Sequence, residues 1–289
     1  MPAATIVDPR TKAKNAVRSV SSIATLPEVT ARIISMVEDP KSTAADLRRV
    51  VSHDPALVTR ILKVVNSSFY GLSGQVSSIE RAIVLLGLNA VKNTAVAASM
   101  GGMFRAAKLC EGFTAKDLWA HCVAVAVTAK ELANRINPAL AEEAFLSGMI
   151  HDVGILVSLQ LWPEKLQAVC DAAKGSTVPF HEIEIQQLGV DHQQLGMALA
   201  EQWSFPRACQ MAAGFHHDVS ALLDEQRPLV SIIYAADVIC CRSKHGFNLT
   251  AMHQPLDGPA AGDVVNAEVV AAVTEQLDAL VEAATPLVG

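Results

Sequence analysis

The sequence predicts an all-α protein: a two-part helical bundle, with short N-terminal helices packed on a larger helical domain. Nearly every apolar cluster recurs at helical i, i+3, i+4, i+7 spacing, and no alternating run rich in β-branched residues competes with that pattern. The chain has 289 residues, 51% of them hydrophobic, which excludes general disorder and provides enough apolar surface for a substantial core.

"PEVTARIISMVED" places Val29, Ile33, Ile34 and Val37 on one face, and "TAADLRRVVSH" does the same with Leu47, Val50 and Val51. "DPALVTRILKVVNSSFYG" opens with Asp54 as a cap and Pro55 at the first helical position, turns Leu57, Ile61, Leu62 and Val65 inward, and is expected to end near Gly71. There Asn66 and Ser67 are expected to satisfy free backbone carbonyls, while Phe69 and Tyr70 seal the two parts together. "SSIERAIVLLGLNAVKNTAVAASM" reads as two helices broken at Gly87, the first capped by Ser77 or Ser78. Longer helices are expected near 115–135 and 140–157, with a break at "INPAL", then near 162–174, 191–203, 206–217 and 228–243. Residues 245–263 read as a long loop, and "AEVVAAVTEQLDALVEA" as a final helix laying Val269, Val270, Val273, Leu277 and Leu280 on the body. The change in helix length near residue 110 divides an N-terminal part, 20–110, from a larger part, 111–289. No Pro- or Gly-rich linker marks the change, so a packed interface is expected between the two.

A formal charge of −6 argues against broad attraction to nucleic acid or to an anionic membrane. "RAIVLLGLNAVKNTAVAAS" has the length of a helix-turn-helix, but its second helix offers only Lys92 and Asn93 as groove-reading groups, so a packing role is expected. The six cysteines form no C-x-x-C pair, which indicates neither a zinc ribbon nor a disulfide framework. The N-terminus lacks a secretory core, and no charge-free apolar run approaches the roughly 18 residues of a spanning helix. A cytoplasmic protein without a membrane segment is expected.

The polar residues inside apolar stretches carry the functional signal. "FLSGMIHDVGIL" sets His151 beside Asp152 in a segment suited to burial, where a carboxylate needs a counter-charge, hydrogen bonds or a metal. Counting outward from helix turns shows which side chains can meet across antiparallel pairs. His121 is 16 residues before Asn137 (137 − 121) and Asp152 is 15 after it (152 − 137). His192 and His216 each stand 12 from Ser204 (204 − 192, 216 − 204), and Pro228 lies 11 after His217 and 9 before Asp237 (228 − 217, 237 − 228). The set is therefore His121, His151, Asp152, His192, His216 or His217, and Asp237. Such a mixture of imidazole nitrogen and carboxylate oxygen suits one or two borderline transition metals, Fe, Mn, Ni or Zn, better than Mg alone. Two adjacent cations could hold both the attacking and the leaving oxygen of a phosphoester. The competing reading makes each histidine a hydrogen-bonded core residue. Cys122 and Cys240, close to this set, are expected to act as small buried hydrophobes. Glu182 and Glu184 are expected to be ordinary solvated helix charges rather than partners of the ligands.

The stretch "LPEVTARIISMVEDPKSTAADLRRVVSHDPALVTRILKVVNSSFYG", then "VSSIERAIVLLGL", "LWAHCVAVA", "GMIHDVGIL", "GVDHQQLGMALAEQWSFP" and "GFHHD", resembles the HDOD (HD-related output domain) family of the HD superfamily over roughly residues 20 to 240. The resemblance implies a helical fold with metal ligands at His121, His151, Asp152 and Asp237, joined in the dinuclear branch by His192, His216 and His217. It departs from cyclic diguanylate phosphodiesterases of the HD-GYP kind at two places: Ile155 stands where they carry a lysine, and no G-Y-P follows "HHD". The resemblance implies a bacterial signalling module with a protein partner and a retained metal pocket. The alternative is a metal-dependent phosphohydrolase acting on a small phosphoester, with Asp152 as its candidate catalytic residue. Ile155 removes a positive charge where a phosphate would need one and favours the regulatory reading.

Overall fold

The computed structural model describes residues 8–20, 26–37, 39–104, 108–257 and 265–288. The chain is all-α. Its helices are α1 (Pro9–Ser19), α2 (Glu28–Val37), α3 (Ala44–Val51), α4 (Pro55–Val65), α5 (Ile79–Leu86), α6 (Leu88–Met100), α7 (Ala115–Ile136), α8 (Ala141–Ile150), α9 (Gly154–Leu161), α10 (Pro163–Ala173), α11 (Phe180–Leu188), α12 (His192–Gln202), α13 (Arg207–Phe215), α14 (Arg227–Arg242), α15 (Ala267–Ala283) and α16 (Thr285–Val288). A small antiparallel hairpin, β1 (Lys108–Cys110) with β2 (Phe113–Thr114), stands between α6 and α7.

Local chemistry sets most boundaries. The Asp54 carboxylate accepts the Leu57 N–H at 2.9 Å and starts α4 with Pro55 at its first position. That helix ends at Val65 rather than near Gly71, because the Asn66 amide donates to the Leu62 and Val76 carbonyls, both at 2.8 Å, and turns the chain. Ser67 also caps a free carbonyl, donating to Val64 O at 2.7 Å. Gly87 separates α5 from α6 with φ at 85°, a backbone angle that side chains other than glycine rarely adopt. Ser78 caps α5, and a Thr114–Asp117 capping box starts α7.

Helices α1, α11 and α16 and the β1–β2 hairpin were absent from the sequence expectation. Helix α1 has only Ala13, Ala16 and Val17 buried, too few apolar positions for a strong periodic signal. Helix α11 is short and its Ile-Glu-Ile run alternates, which blurs the helical period. The strands are two and three residues long, too short for an alternation to register. The helix expected over 140–157 is in fact two, α8 and α9, with His151, Asp152 and Val153 forming the turn between them.

The 22-residue α7 is the axis, with α8, α14 and α15 packed against it. Gly148 on α8 faces the Ala126 backbone of α7, and a Cβ at 148 would come within 2.8 Å of the Ala126 Cα. This close approach brings His121 and the α8–α9 turn to the same level. The largest apolar cluster runs without interruption from Ile33, Leu47 and Ile61 through Val96 and Met100 to Trp119, Phe145 and Leu156, and so spans both parts of the chain. Phe69 stacks on Phe145 with ring centroids 5.8 Å apart, and the Tyr70 hydroxyl meets Thr94 Oγ1 at 2.6 Å. Val273 and Leu277 of α15 are buried against α7 and α14, with Val269, Val270 and Leu280 partly buried beside them.

Lys92 and Asn93 of the helix-turn-helix-like pair are buried. Lys92 donates to Met36 O and Ser42 Oγ at 2.5 Å, and Asn93 donates to Glu142 O at 2.9 Å. Among the described residues, one helical stretch, Pro138–Leu161, has the length and composition of a membrane-crossing helix, with 83% of its most apolar window buried inside the protein. Counting only charge-free runs passes over it, since Asp152 lies at its centre.

Candidate metal centre

All seven polar residues selected from the sequence meet in one buried cluster, and each is 4% exposed or less. They fall into two groups whose candidate ligand atoms lie within 4.8 Å of one another: His121, His151 and Asp237 in the first, Asp152, His192, His216 and His217 in the second. Helix α7 supplies His121, the α8–α9 turn His151 and Asp152, the start of α12 His192, the end of α13 His216 and His217, and the middle of α14 Asp237.

Asp152 faces both groups with different oxygens. Its Oδ2 lies 3.6 Å from His121 Nε2 and 3.4 Å from His151 Nε2, whereas Oδ1 lies 3.4 Å from His192 Nε2 and 3.3 Å from His216 Nε2. Interrupting the helix at His151–Val153 is what turns the carboxylate inward. Gly154 then passes so close to α12 that a Cβ there would overlap the His192 carbonyl and the Gly196 nitrogen. The turn and α12 therefore meet main chain to main chain.

Each histidine is fixed through Nδ1. His151 Nδ1 lies 2.8 Å from Gly148 O, His216 Nδ1 3.0 Å from Ala212 O, and His121 Nδ1 3.3 Å from His245 O. His192 Nδ1 meets Glu184 Oε2 at 2.5 Å, while His217 Nδ1 faces the Gln254 amide, 3.2 Å from its oxygen and 3.0 Å from its nitrogen. For His121, His151, His192 and His216, an Nδ1–H donated to these oxygens leaves Nε2 as the lone-pair atom, and all five Nε2 atoms lie in the cluster. Glu184 is wholly buried and also accepts the His192 N–H at 2.9 Å, which corrects the expectation that it is a solvated charge; Glu182 is exposed. The misreading came from α11, whose burial pattern the local sequence does not reveal. Cys122 and Cys240 are buried as expected, and Cys240 meets Thr128 Oγ1 at 3.4 Å.

The donor set fits a cation. His192 Nε2 stands 2.9 Å from His217 Nε2 and 3.3 Å from His216 Nε2, so converging lone pairs need a proton or a metal between them. In the first group, His121 Nε2, His151 Nε2 and Asp237 Oδ2 have no hydrogen-bond partner, nor have the two oxygens of Asp152 in the second, even though His121 Nε2 lies 3.0 Å from Asp237 Oδ1. Orphaned buried carboxylate oxygens are costly without a cation.

Electrostatics agree. Burial opposes charge on Asp152, but the neighbouring imidazoles, His151 foremost, hold its carboxyl well below the usual range. Burial likewise opposes charge on His192, yet the Glu184 carboxylate outweighs it and raises the imidazole to about 10. His216 and His217 are lowered by burial and by the adjoining imidazoles. His181, outside the sequence-derived set, stacks on His217 with centroids 5.1 Å apart and is lowered to about 4 by burial and by His192 and His216.

The profile of the HDOD domain matches residues 23–219, a segment that includes every member of the cluster except Asp237. An uncharacterised protein of Treponema pallidum is 26% identical over 220 residues, covering 76% of this chain and 42% of that protein, so the chain spans less than half the length of this curated relative. An HDOD domain protein of unknown function from Geobacter sulfurreducens has the same fold, with a TM-score of 0.80 at 24% identity over 96% of this chain and 97% of that one. A candidate phosphohydrolase from Shewanella amazonensis follows with a TM-score of 0.75, also at 24% identity, over 95% and 97% of the two chains. The helical architecture, shared with these structures, and a profile match over more than half of the sequence lead to one assignment: the chain belongs to the HDOD family.

Proposed function

We propose that the protein is a signalling module that acts through contacts with a protein partner in the bacterial cytoplasm, and that its His/Asp cluster holds one or two divalent transition metals, Fe, Mn, Ni or Zn, as a structural or sensing element. One observation carries this reading: all seven cluster residues are buried, and so is Ile155 beside them, so the cluster presents no exposed ligand side chain to a phosphoester. Mixed imidazole and carboxylate donors suit borderline metals. A bound metal would neutralise the two carboxylates and take up the converging imidazole lone pairs. None of the six cysteines forms a disulfide, which suits a reducing compartment.

A second reading, hydrolysis of a small phosphoester, draws on the placing of Asp152, whose two oxygens address two adjacent groups as a dinuclear centre requires. A cleft of about 490 Å³ beside the second group is lined by Asp191, Gln193 and Asp218, chain neighbours of His192 and His217, and by the cations Arg10 and Lys14. In that reading Asp152 is the catalytic residue and Gln193, which accepts the His217 N–H at 3.0 Å, couples the cleft wall to the centre.

Metal analysis of the purified protein, followed by a phosphodiesterase and phosphatase screen with Fe and Mn added, separates the two. Stoichiometric metal without turnover is expected. Turnover that vanishes in Asp152→Asn would establish the hydrolase instead, and absence of metal under all loading conditions would overturn both.

A further inference from the structure

A second reactive cluster lies away from the His/Asp centre. Cys110 ends β1, and Cys170 lies on α10, the helix packed against that strand. Hydrogen bonds on either side fix their relation. The Glu111 N–H donates to Gln167 Oε1 at 2.8 Å, and the Lys174 ammonium donates to the Glu111 carbonyl at 3.0 Å. Residues 167, 170 and 174 share one helix face, so Cys170 sits between the two side chains that clasp the neighbour of Cys110. Both cysteines are buried, at 1% and 0% exposure.

The two thiols differ in acidity. Cys110 is lowered chiefly by the thiol of Cys170, against burial, with Lys174 and Lys108 adding to the effect. Cys170 is pushed up by Cys110 and by burial. Cys122 and Cys241 are raised well above the ordinary thiol value by burial, which leaves them poor nucleophiles.

We propose that Cys110 and Cys170 form an oxidisable dithiol site, closed to a disulfide by a peroxide and reopened by a small thiol. The Cys110 thiolate attacks one peroxide oxygen, the O–O bond breaks, and hydroxide leaves as water after taking a proton; Cys110 becomes a sulfenic acid. The Cys170 sulfur attacks the sulfenic sulfur, the S–O bond breaks, and a second water carries away the oxygen with the Cys170 proton. Two thiols are oxidised by two electrons in total as one peroxide is reduced to two waters. Two small thiols reverse the change by exchange and leave as their own disulfide. The site needs no metal. It does adjoin the metal centre's support, because α10 packs on α11 and the Glu184 carboxylate acts on Cys170 while holding His192.

The test uses the full chain. The protein is treated with hydrogen peroxide, its remaining thiols are alkylated in denaturant, and tryptic peptides are mapped by mass spectrometry without reduction. The expected product joins residues 109–116 to 166–174, two hydrogens lighter than the separate peptides, and returns to them with dithiothreitol. Cys110→Ser should abolish that product and leave Cys170 alkylated. The proposal is overturned if both thiols remain alkylatable under conditions that oxidise a free small thiol. Conversion of Cys110 to sulfinic acid without linkage, or pairing with any other cysteine, overturns it equally. The wild-type map decides the matter even if the variant does not fold.

Discussion

The N-terminal helices and the His/Asp cluster bury polar groups in opposite ways. In the N-terminal helices, interior polar groups find partners: Lys92 reaches Met36 and Ser42, Asn93 reaches Glu142, and Thr94 reaches Ala90. Among the described residues of that part, only the Thr30 hydroxyl and the Asn93 amide oxygen remain without a partner, and neither is charged. In the cluster formed by α7, α12, α13, α14 and the α8–α9 turn, imidazole nitrogens and carboxylate oxygens face one another instead. Burial is equally complete in both. What differs is satisfaction, and that difference separates a structural polar interior from one shaped for an outside atom.

The largest effect should come from the residue that faces both groups. Asp152→Asn is expected to lose stoichiometric metal, measured by elemental analysis. It should also lose the stabilisation that excess metal gives the wild type, about 4 kcal/mol at a thousand-fold excess over Kd. Full metal retention would break the comparison. Lys92→Ala should do the reverse: about 2–3 kcal/mol of lost stability in urea unfolding, because a buried carbonyl and hydroxyl lose a charged donor, with metal content unchanged. Glu184→Gln keeps the shape but weakens the hold on His192 Nδ1, and a loss of roughly 10–100-fold in metal affinity is expected by competition with a chelator.

The smallest effect concerns acid. In the folded protein His181 is lowered to about 4, against about 6.5 in an unfolded chain, so folding favours its neutral form. Its contribution to stability is full above pH 6.5 and is lost as pH falls towards 4. Metal-free His181→Phe should therefore show a smaller drop in Tm between pH 7 and pH 4.5 than the metal-free wild type. An equal drop would remove His181 from the account.

Much of this was readable from residue spacing. Similar distances from Asn137, Ser204 and Pro228 anticipated that His121 would meet Asp152, His192 would meet His216, and His217 would meet Asp237; the last pair approach to 3.8 Å. Spacing works there because antiparallel helices convert chain distance into height. It fails where contact depends on close backbone approach or on weakly patterned elements. Nothing local to "LSGMIHDVGIL" shows the helix breaking at His151, since that turn is imposed by α12. Glu184 lies in a run where isoleucine and glutamate alternate, and only tertiary packing decides which glutamate turns inward. Gln254 comes from a stretch without periodicity.

The contact at Gly154 has a mechanical consequence. Because hydrogen is all that separates the α8–α9 turn from α12 there, the spacing of Asp152 and His192 is gauged by the polypeptide itself. Loading or emptying the centre would then alter stiffness far more than shape. Any residue bulkier than glycine at that point would wedge the turn away from α12.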